Sequence, residues 1–279
     1  MKHVDGTFKG ARDTDIYYQC WLPDDEPKAV LMVAHGLAEH GGRYMNLVNH
    51  FVPLGYGVYA IDHIGHGKSG GARVFVENFS EFIDPLKTLF DKIQASQSDK
   101  PIFLVGHSMG GLIAACYLLE HQEGLKGALL SGPAVKVPRS ASGMTVFIGK
   151  ILSAIVPKAG LVQLVAEGIS RDPAVVEAYR NDPLVFTGKI TARLAAQLLA
   201  SMERVSNEAA TITLPLMLVQ GSKDILVDPE GAQMLYDLVA SKDKTIKIYE
   251  GFFHEVFNEP EHKQVLGDVQ DWLEAHLTS

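Results

Sequence analysis

Short apolar runs alternate along this chain with longer segments whose apolar residues recur every three or four positions. Ala29-Val-Leu-Met-Val-Ala34, Gly57-Val-Tyr-Ala-Ile-Asp62, Pro101-Ile-Phe-Leu-Val105, Gly127-Ala-Leu-Leu-Ser131 and Leu214-Pro-Leu-Met-Leu-Val-Gln-Gly221 are nearly continuous in apolar residues. Such runs predict strands buried on both faces. Between them, Tyr44, Leu47, Val48 and Phe51 share one face of a helix over 43–52, stopped by Pro53 and Gly55. A second helix is predicted over 79–95, interrupted early by Pro85, and a third over 109–121, apolar on most faces. Extended stretches at 4–9 and 16–22 predict an N-terminal hairpin. A helix at 229–239, a strand at 245–249 and an amphipathic helix at 260–277 close the chain.

This alternation predicts an α/β fold with a mostly parallel, doubly wound sheet, helices on both faces and reactive groups at the carboxyl ends of the strands. The rhythm breaks at Gly132-Pro133. From there to about residue 207 the period is helical, with no convincing strand. The expected organisation is therefore a core from 1–133, a helical cap inserted at 134–207 over the carboxyl edge of the sheet, and the rest of the core at 208–279. The cap's apolar stretch from Met144 to Val156 has two readings. Phe147, Ile148, Ile151 and Leu152 either pack on the sheet or wall a tunnel under the cap, the favoured reading, or contact a membrane or micelle surface.

Composition narrows the partners. The 279 residues carry a formal charge of -8 with both signs interspersed, which argues against nucleic acid. Cys20 and Cys116 sit among apolar residues and make no metal or disulfide framework. The first residues have no apolar signal core, and no window approaches the roughly 18 apolar residues of a membrane span. These features predict a cytoplasmic location, with any membrane contact peripheral.

The chemistry centres on Gly106-His-Ser-Met-Gly110, which ends one predicted strand and opens the third helix. Serine with glycine two places either side is what a nucleophile elbow needs, because flanking side chains would clash in so tight a turn. The turn lifts the Ser108 hydroxyl clear of the sheet and leaves the Met109 N–H free at a helix start, as an oxyanion donor. A serine hydroxyl also needs a neutral imidazole and a carboxylate to orient it, in the chain order serine, acid, histidine. Asp224 and Asp228 both lie in a loop after a strand; Asp228 precedes Pro229 as a helix cap would, which favours Asp224 over Asp228 as the acid. His254 follows the last strand, whereas His262 and His276 fall on the polar face of the last helix. The loop after His35-Gly36 offers the Leu37 N–H as second oxyanion donor. His35, His40, His63 and His66 lack the carboxylate or cysteine partners of a metal site, so no metal and no cofactor are expected.

Six blocks carry a wider resemblance: His35-Gly-Leu-Ala-Glu-His-Gly-Gly-Arg-Tyr44, Asp62-His-Ile-Gly-His-Gly-Lys-Ser69, Gly106-His-Ser-Met-Gly-Gly111, Asn181-Asp-Pro-Leu184, Gln220-Gly-Ser-Lys-Asp224 and Lys247-Ile-Tyr-Glu-Gly-Phe-Phe-His254. Their content and order resemble the monoacylglycerol lipase branch of the α/β-hydrolases. The resemblance implies the α/β-hydrolase fold with a lid, and hydrolysis of monoacylglycerols to fatty acid and glycerol by Ser108, Asp224 and His254. It also implies an acyl tunnel under the cap and a glycerol pocket lined or braced by Glu39, Arg43, His107 and Tyr179. Glu39 and Arg43 also read as a buried ion pair holding their loop. Leu37 stands where the family more often has a small residue. The rivals are a lysophospholipase, a broad carboxylesterase, and a binding protein on the same scaffold. Activity is expected to rise with pH through an imidazole value of about 6 to 7.

Overall fold

Eight strands form one sheet in the order β1-β2-β4-β3-β5-β6-β9-β10. They are β1 (Lys2–Lys9), β2 (Asp15–Leu22), β3 (Ala29–Ala34), β4 (Tyr56–Ile61), β5 (Ile102–His107), β6 (Leu125–Ser131), β9 (Leu216–Gly221) and β10 (Lys244–Tyr249). Only β1 and β2 run antiparallel to their neighbours; from β4 to β10 every pairing is parallel. The computed structural model describes residues 1–137, 152–163 and 165–277.

The apolar runs are continuous because both faces of the sheet are covered. In β3, Val30, Met32 and Ala34 join the core on one face, and Ala29, Leu31 and Val33 join the core on the other, as a period of two requires. On the second face lie α1 (Met45–Phe51) and the closing helix α7 (His262–Leu277), through Leu47, Phe51, Val269 and Leu273. On the first lie α2 (Ser80–Ser96) and α3 (Met109–Glu120), joined by α5 (Ala192–Glu208) and α6 (Glu230–Leu238). Pro85 does not interrupt α2, which is a single helix through residue 96; so near the helix start, its missing N–H removes only one early bond.

Between β6 and β9 the chain makes α4 (Pro173–Asn181), α5 and a strand pair, β7 (Gly160–Gln163) with β8 (Lys189–Thr191). That pair corrects the all-helical reading of the insertion. Each strand is only a few residues long, too short for a period of two to emerge from the sequence. The insertion also contributes to the main core: α5 packs on α3 through Leu194, Leu198 and Val205. This packing explains why α3 is apolar all round, with the sheet beneath it and α5 above. Of the stretch 144–156, the residues up to 151, including Phe147, Ile148 and Ile151, lie outside the described ones; Leu152 is half-buried.

Candidate active site

Ser108 stands between the end of β5 and the first residue of α3, with φ 55° and ψ -118°. A non-glycine residue with positive φ stores strain, here at the tip of a turn that leaves no room for side chains on its flanks. A Cβ at Gly106 would lie 2.5 Å from the Gly110 carbonyl oxygen, and one at Gly110 would lie 2.0 Å from that of Ala34. The backbone of Ser108 is anchored on both sides: its N–H donates to the Ser131 carbonyl at 3.0 Å, and its carbonyl accepts from Leu112 and Ala134. As the first residue of α3, Met109 has no intrahelical acceptor for its N–H.

Asp224, in the loop after β9, is buried and saturated with donors. Its Oδ1 accepts the N–H groups of Leu226 and Val227 at 2.8 and 3.1 Å. Its Oδ2 accepts from Gln220 Nε2 at 2.9 Å and from His254 Nδ1 at 2.6 Å. An acceptor at that distance fixes the imidazole tautomer, with the proton on Nδ1 and Nε2 left unprotonated. Burial would push the Asp224 carboxyl up, but the charge of His254 and the loop N–H groups outweigh it and hold it below its usual range. For His254, burial pulls down and Asp224 more than reverses this, so the imidazole titrates above its ordinary 6.5. Gly221 lets the two loops meet, because a Cβ there would sit 2.0 Å from the Phe253 carbonyl oxygen. Asp228 instead accepts the Glu230 N–H at 3.0 Å, a helix-start role, and pairs with Lys136 at 3.1 Å. His276 is buried against Trp272 and bonded to Asp243, rather than displayed on a polar face.

The loop after β3 is organised by Glu39. Its Oε1 accepts the Gly36 N–H at 2.6 Å and the Tyr44 hydroxyl at 2.9 Å, and its Oε2 accepts from Arg43 Nη1 at 2.5 Å. Burial alone would raise the Glu39 carboxyl; Arg43 overrides it and holds the group at about 2. Arg43 also grips Glu255 with both terminal nitrogens, at 2.7 and 2.9 Å, and lies 4.7 Å over the Tyr179 ring. His107 points Nδ1 at the Ser131 carbonyl, 3.0 Å away, and burial lowers it to about 4, so it is neutral with Nε2 free to accept.

Ser108, Met109, Leu37 and His254 line one cavity of about 420 Å³, together with Glu39, His107, Tyr179 and Glu255. Apart from Lys136, the rest of its wall is apolar, drawn in large part from the insertion (Leu161, Ile190, Leu198, Met202) and from the Asp224 loop (Leu226, Val227). Arg43 lies in a smaller adjoining cleft with Glu39, His107 and Glu255. It therefore stands behind the cavity wall, bracing what lines it. Sequence reasoning missed two residues here, Gln220 and Glu255. The first had a signal, a polar side chain in the otherwise apolar run of β9.

His35, His40, His63 and His66 support loops. His35 Nδ1 donates to the Gly36 carbonyl at 2.7 Å and its Nε2 accepts the His63 N–H at 2.9 Å, which ties the residue before Leu37 to the loop after β4. His63 and His66 pack against it, ring centroids 4.3 and 5.5 Å away. His40 Nε2 donates to Asp182 at 2.8 Å, joining the insertion to the loop after β3. Among the described residues, no group of three His, Cys, Asp or Glu is arranged to hold a metal ion, and no helix is long and apolar enough to cross a membrane.

Comparison with known proteins gives a consistent picture. A family model described as Hydrolase_4, serine aminopeptidase S33, matches residues 25–261. The chain is 41% identical over 271 residues to a monoacylglycerol lipase of Mycolicibacterium smegmatis, covering 97% of each chain. It is 36% identical over 261 residues to the monoglyceride lipase of Homo sapiens, covering 92% of this chain and 86% of that one. The crystal structure of Paleococcus ferrophilus monoacylglycerol lipase superimposes with a TM-score of 0.83 at 31% identity, covering 99% of this chain and all of that one. The chain belongs to the Hydrolase_4 family of α/β-hydrolases, in the branch of serine ester hydrolases that contains these monoacylglycerol lipases.

Proposed function

We propose that this protein hydrolyses the ester bond of monoacylglycerols, releasing a fatty acid and glycerol, with Ser108 as nucleophile, His254 as base and Asp224 as the acid that orients it. The observation that carries the reading is the Asp224–His254 pair, 2.6 Å apart, opening into the cavity that Ser108 also lines. His254 Nε2 takes the Ser108 proton as the hydroxyl oxygen attacks the ester carbonyl, and the N–H groups of Met109 and Leu37 hold the resulting oxyanion. The C–O bond to glycerol then breaks, with His254 returning the proton to the leaving alkoxide. Water, deprotonated by His254, releases the fatty acid and restores the serine. No step requires a metal or cofactor.

The acyl chain takes the apolar part of the wall and glycerol the part formed by Glu39, His107 and Tyr179. Neutral His107 accepts a glycerol hydroxyl through Nε2, and Arg43 braces Glu39. Residues 134–207 act as the cap, consistent with the cavity wall they supply. Exposed Ile155, Val162, Val165 and Ile225 give the molecule a place to rest on a lipid surface; failure to sediment with liposomes at low salt would count against that contact. A cytoplasmic location accords with two free, buried cysteines.

Turnover of a monoacylglycerol, a lysophosphatidylcholine and a short nitrophenyl ester, each with wild type and Ser108→Ala, tests the reading. Preference for the monoacylglycerol, abolished in the variant, is expected. Faster turnover of the lysophospholipid would assign a lysophospholipase instead, and no preference would assign a broad carboxylesterase.

A further inference from the structure

Glu255 directly follows His254, and its buried carboxylate is spent on the protein itself. Oε1 accepts from Arg43 Nη1 at 2.7 Å; Oε2 accepts from Arg43 Nη2 at 2.9 Å and from Asn258 Nδ2 at 2.8 Å. Beyond Arg43, Glu39 takes one guanidinium N–H on Oε2 and the Gly36 N–H on Oε1. An unbroken chain of charge-assisted bonds thus runs from the residue after His254 to the residue before Leu37. Asn46 extends it into α1 by donating to Asn258 Oδ1 at 3.0 Å.

The sheet alone cannot set the distance between those two loops. They leave β3 and β10, which have β5, β6 and β9 between them. Four strand steps separate their roots by about 19 Å. A fork of two parallel bonds fixes the plane of a guanidinium as well as its separation from the carboxylate, which one bond does not. Arg43 makes that fork with Glu255 and spends the rest of its contacts on Glu39 and on the Tyr179 ring.

We propose that Glu255 is a positioning residue for the reaction, locking the loop of the base to the loop of the second oxyanion donor through Arg43 and Glu39. The inference rests on the roles given above to His254 and Leu37. Because its carboxylate is consumed by Arg43 and Asn258, Glu255 contributes to the geometry of the reacting groups and little to holding substrate. Its loss therefore lowers kcat and leaves KM nearly unchanged. A displacement of about 1 Å in a reacting group costs on the order of a hundredfold; Glu255→Gln, which keeps one acceptor for Arg43, should cost on the order of tenfold.

A second signature follows from charge. The groups facing the His254 imidazole are Asp224, bonded to Nδ1, the neutral His107 ring at 4.7 Å, Glu255 and, further off, Glu39. Removing the Glu255 charge leaves less to favour the imidazolium, so the acid limb of kcat/KM moves to lower pH. A residue that only held the fold together would not move that limb.

The test uses the full chain with Glu255→Gln, the gentler Asn258→Ala, Glu39→Gln and the double variant Glu39→Gln/Glu255→Gln. Monoacylglycerol hydrolysis is measured across pH, with thermal melting and fluorophosphonate labelling giving the folded, reactive fraction. Expected for Glu255→Gln are a fall of about tenfold in plateau kcat per folded molecule, KM within about twofold, and an acid limb displaced downward. Asn258→Ala should fall less in kcat, and the double variant little further than the worse single one, since both cut one chain. Wild-type plateau kcat per folded molecule in Glu255→Gln, or strictly additive losses, would overturn the inference. A wild-type protein inert to both ester and fluorophosphonate would instead overturn the proposed function.

Discussion

Acid should unfold this protein steeply, because four buried imidazoles are held neutral in the native state. Burial lowers His35 to about 4, His66 to about 3 and His107 to about 4, and holds His63 well below its ordinary value. In the unfolded chain each binds a proton near 6.5; in the folded protein each stays neutral until the pH nears its own lowered value. Their contribution to stability is thus intact above about 6.5 and drains away as the pH falls toward 4. His254 has the opposite sign, and once the pH is below 6.5 it is protonated in both states and adds no slope. Each depressed imidazole contributes about 1.4 kcal/mol per pH unit, so four approach about 5 kcal/mol per unit. Against a usual total of about 5–15 kcal/mol, a slope of about 5 kcal/mol per unit should abolish the fold within about one to three pH units below about 6. His63→Leu isolates one proton, since neither ring nitrogen of His63 meets a protein hydrogen-bond partner and the ring packs on Phe82. Urea unfolding followed by tryptophan fluorescence, from about pH 7.5 to 5, should show the steep loss in wild type. The slope should be shallower by about 1.4 kcal/mol per unit in the variant. A stability that stays flat between 6.5 and 5, or a slope unchanged in His63→Leu, would refute the reasoning.

Asp224→Asn leaves the shape of the site but removes the carboxylate that keeps the His254 proton on Nδ1, and kcat should fall on the order of ten-thousandfold in steady-state assays, with KM little changed. The acid limb of wild-type kcat/KM should have its midpoint above 6.5, because Asp224 raises His254; a midpoint below 6 would contradict that assignment. Gly110→Ala puts a Cβ 2.0 Å from a backbone oxygen that cannot step aside, so circular dichroism should find little native protein. Leu198→Trp fills part of the apolar wall and should shift preference toward shorter acyl chains, read from rates across a graded series.

Much of the core was legible because its signals are local. Each central strand is an apolar run with two covered faces, and the elbow is a pentapeptide whose two glycines face backbone atoms. The short strands β7 and β8 were not legible, being pieces of backbone pairing fixed by the packing around them. The all-apolar α3 showed in the sequence that something covers it, yet not that α5, from the insertion, is that cover. In the site, chain order and loop position single out Asp224 and His254, whose side chains meet at 2.6 Å. Glu255 could not, because its meaning lies in Arg43, 212 residues away, and a lone carboxylate beside a histidine carries no local mark. His276 read as surface because its helix is amphipathic, while its partners Trp272 and Asp243 bury it.

The most direct measurement is mass spectrometry of the intact protein and its peptides after fluorophosphonate treatment, set beside monoacylglycerol turnover by the same sample. One adduct per chain, carried on the peptide containing Ser108 and accompanied by matching loss of hydrolysis, is the predicted result. Labelling on another residue, or full hydrolysis surviving complete modification of Ser108, would contradict the account.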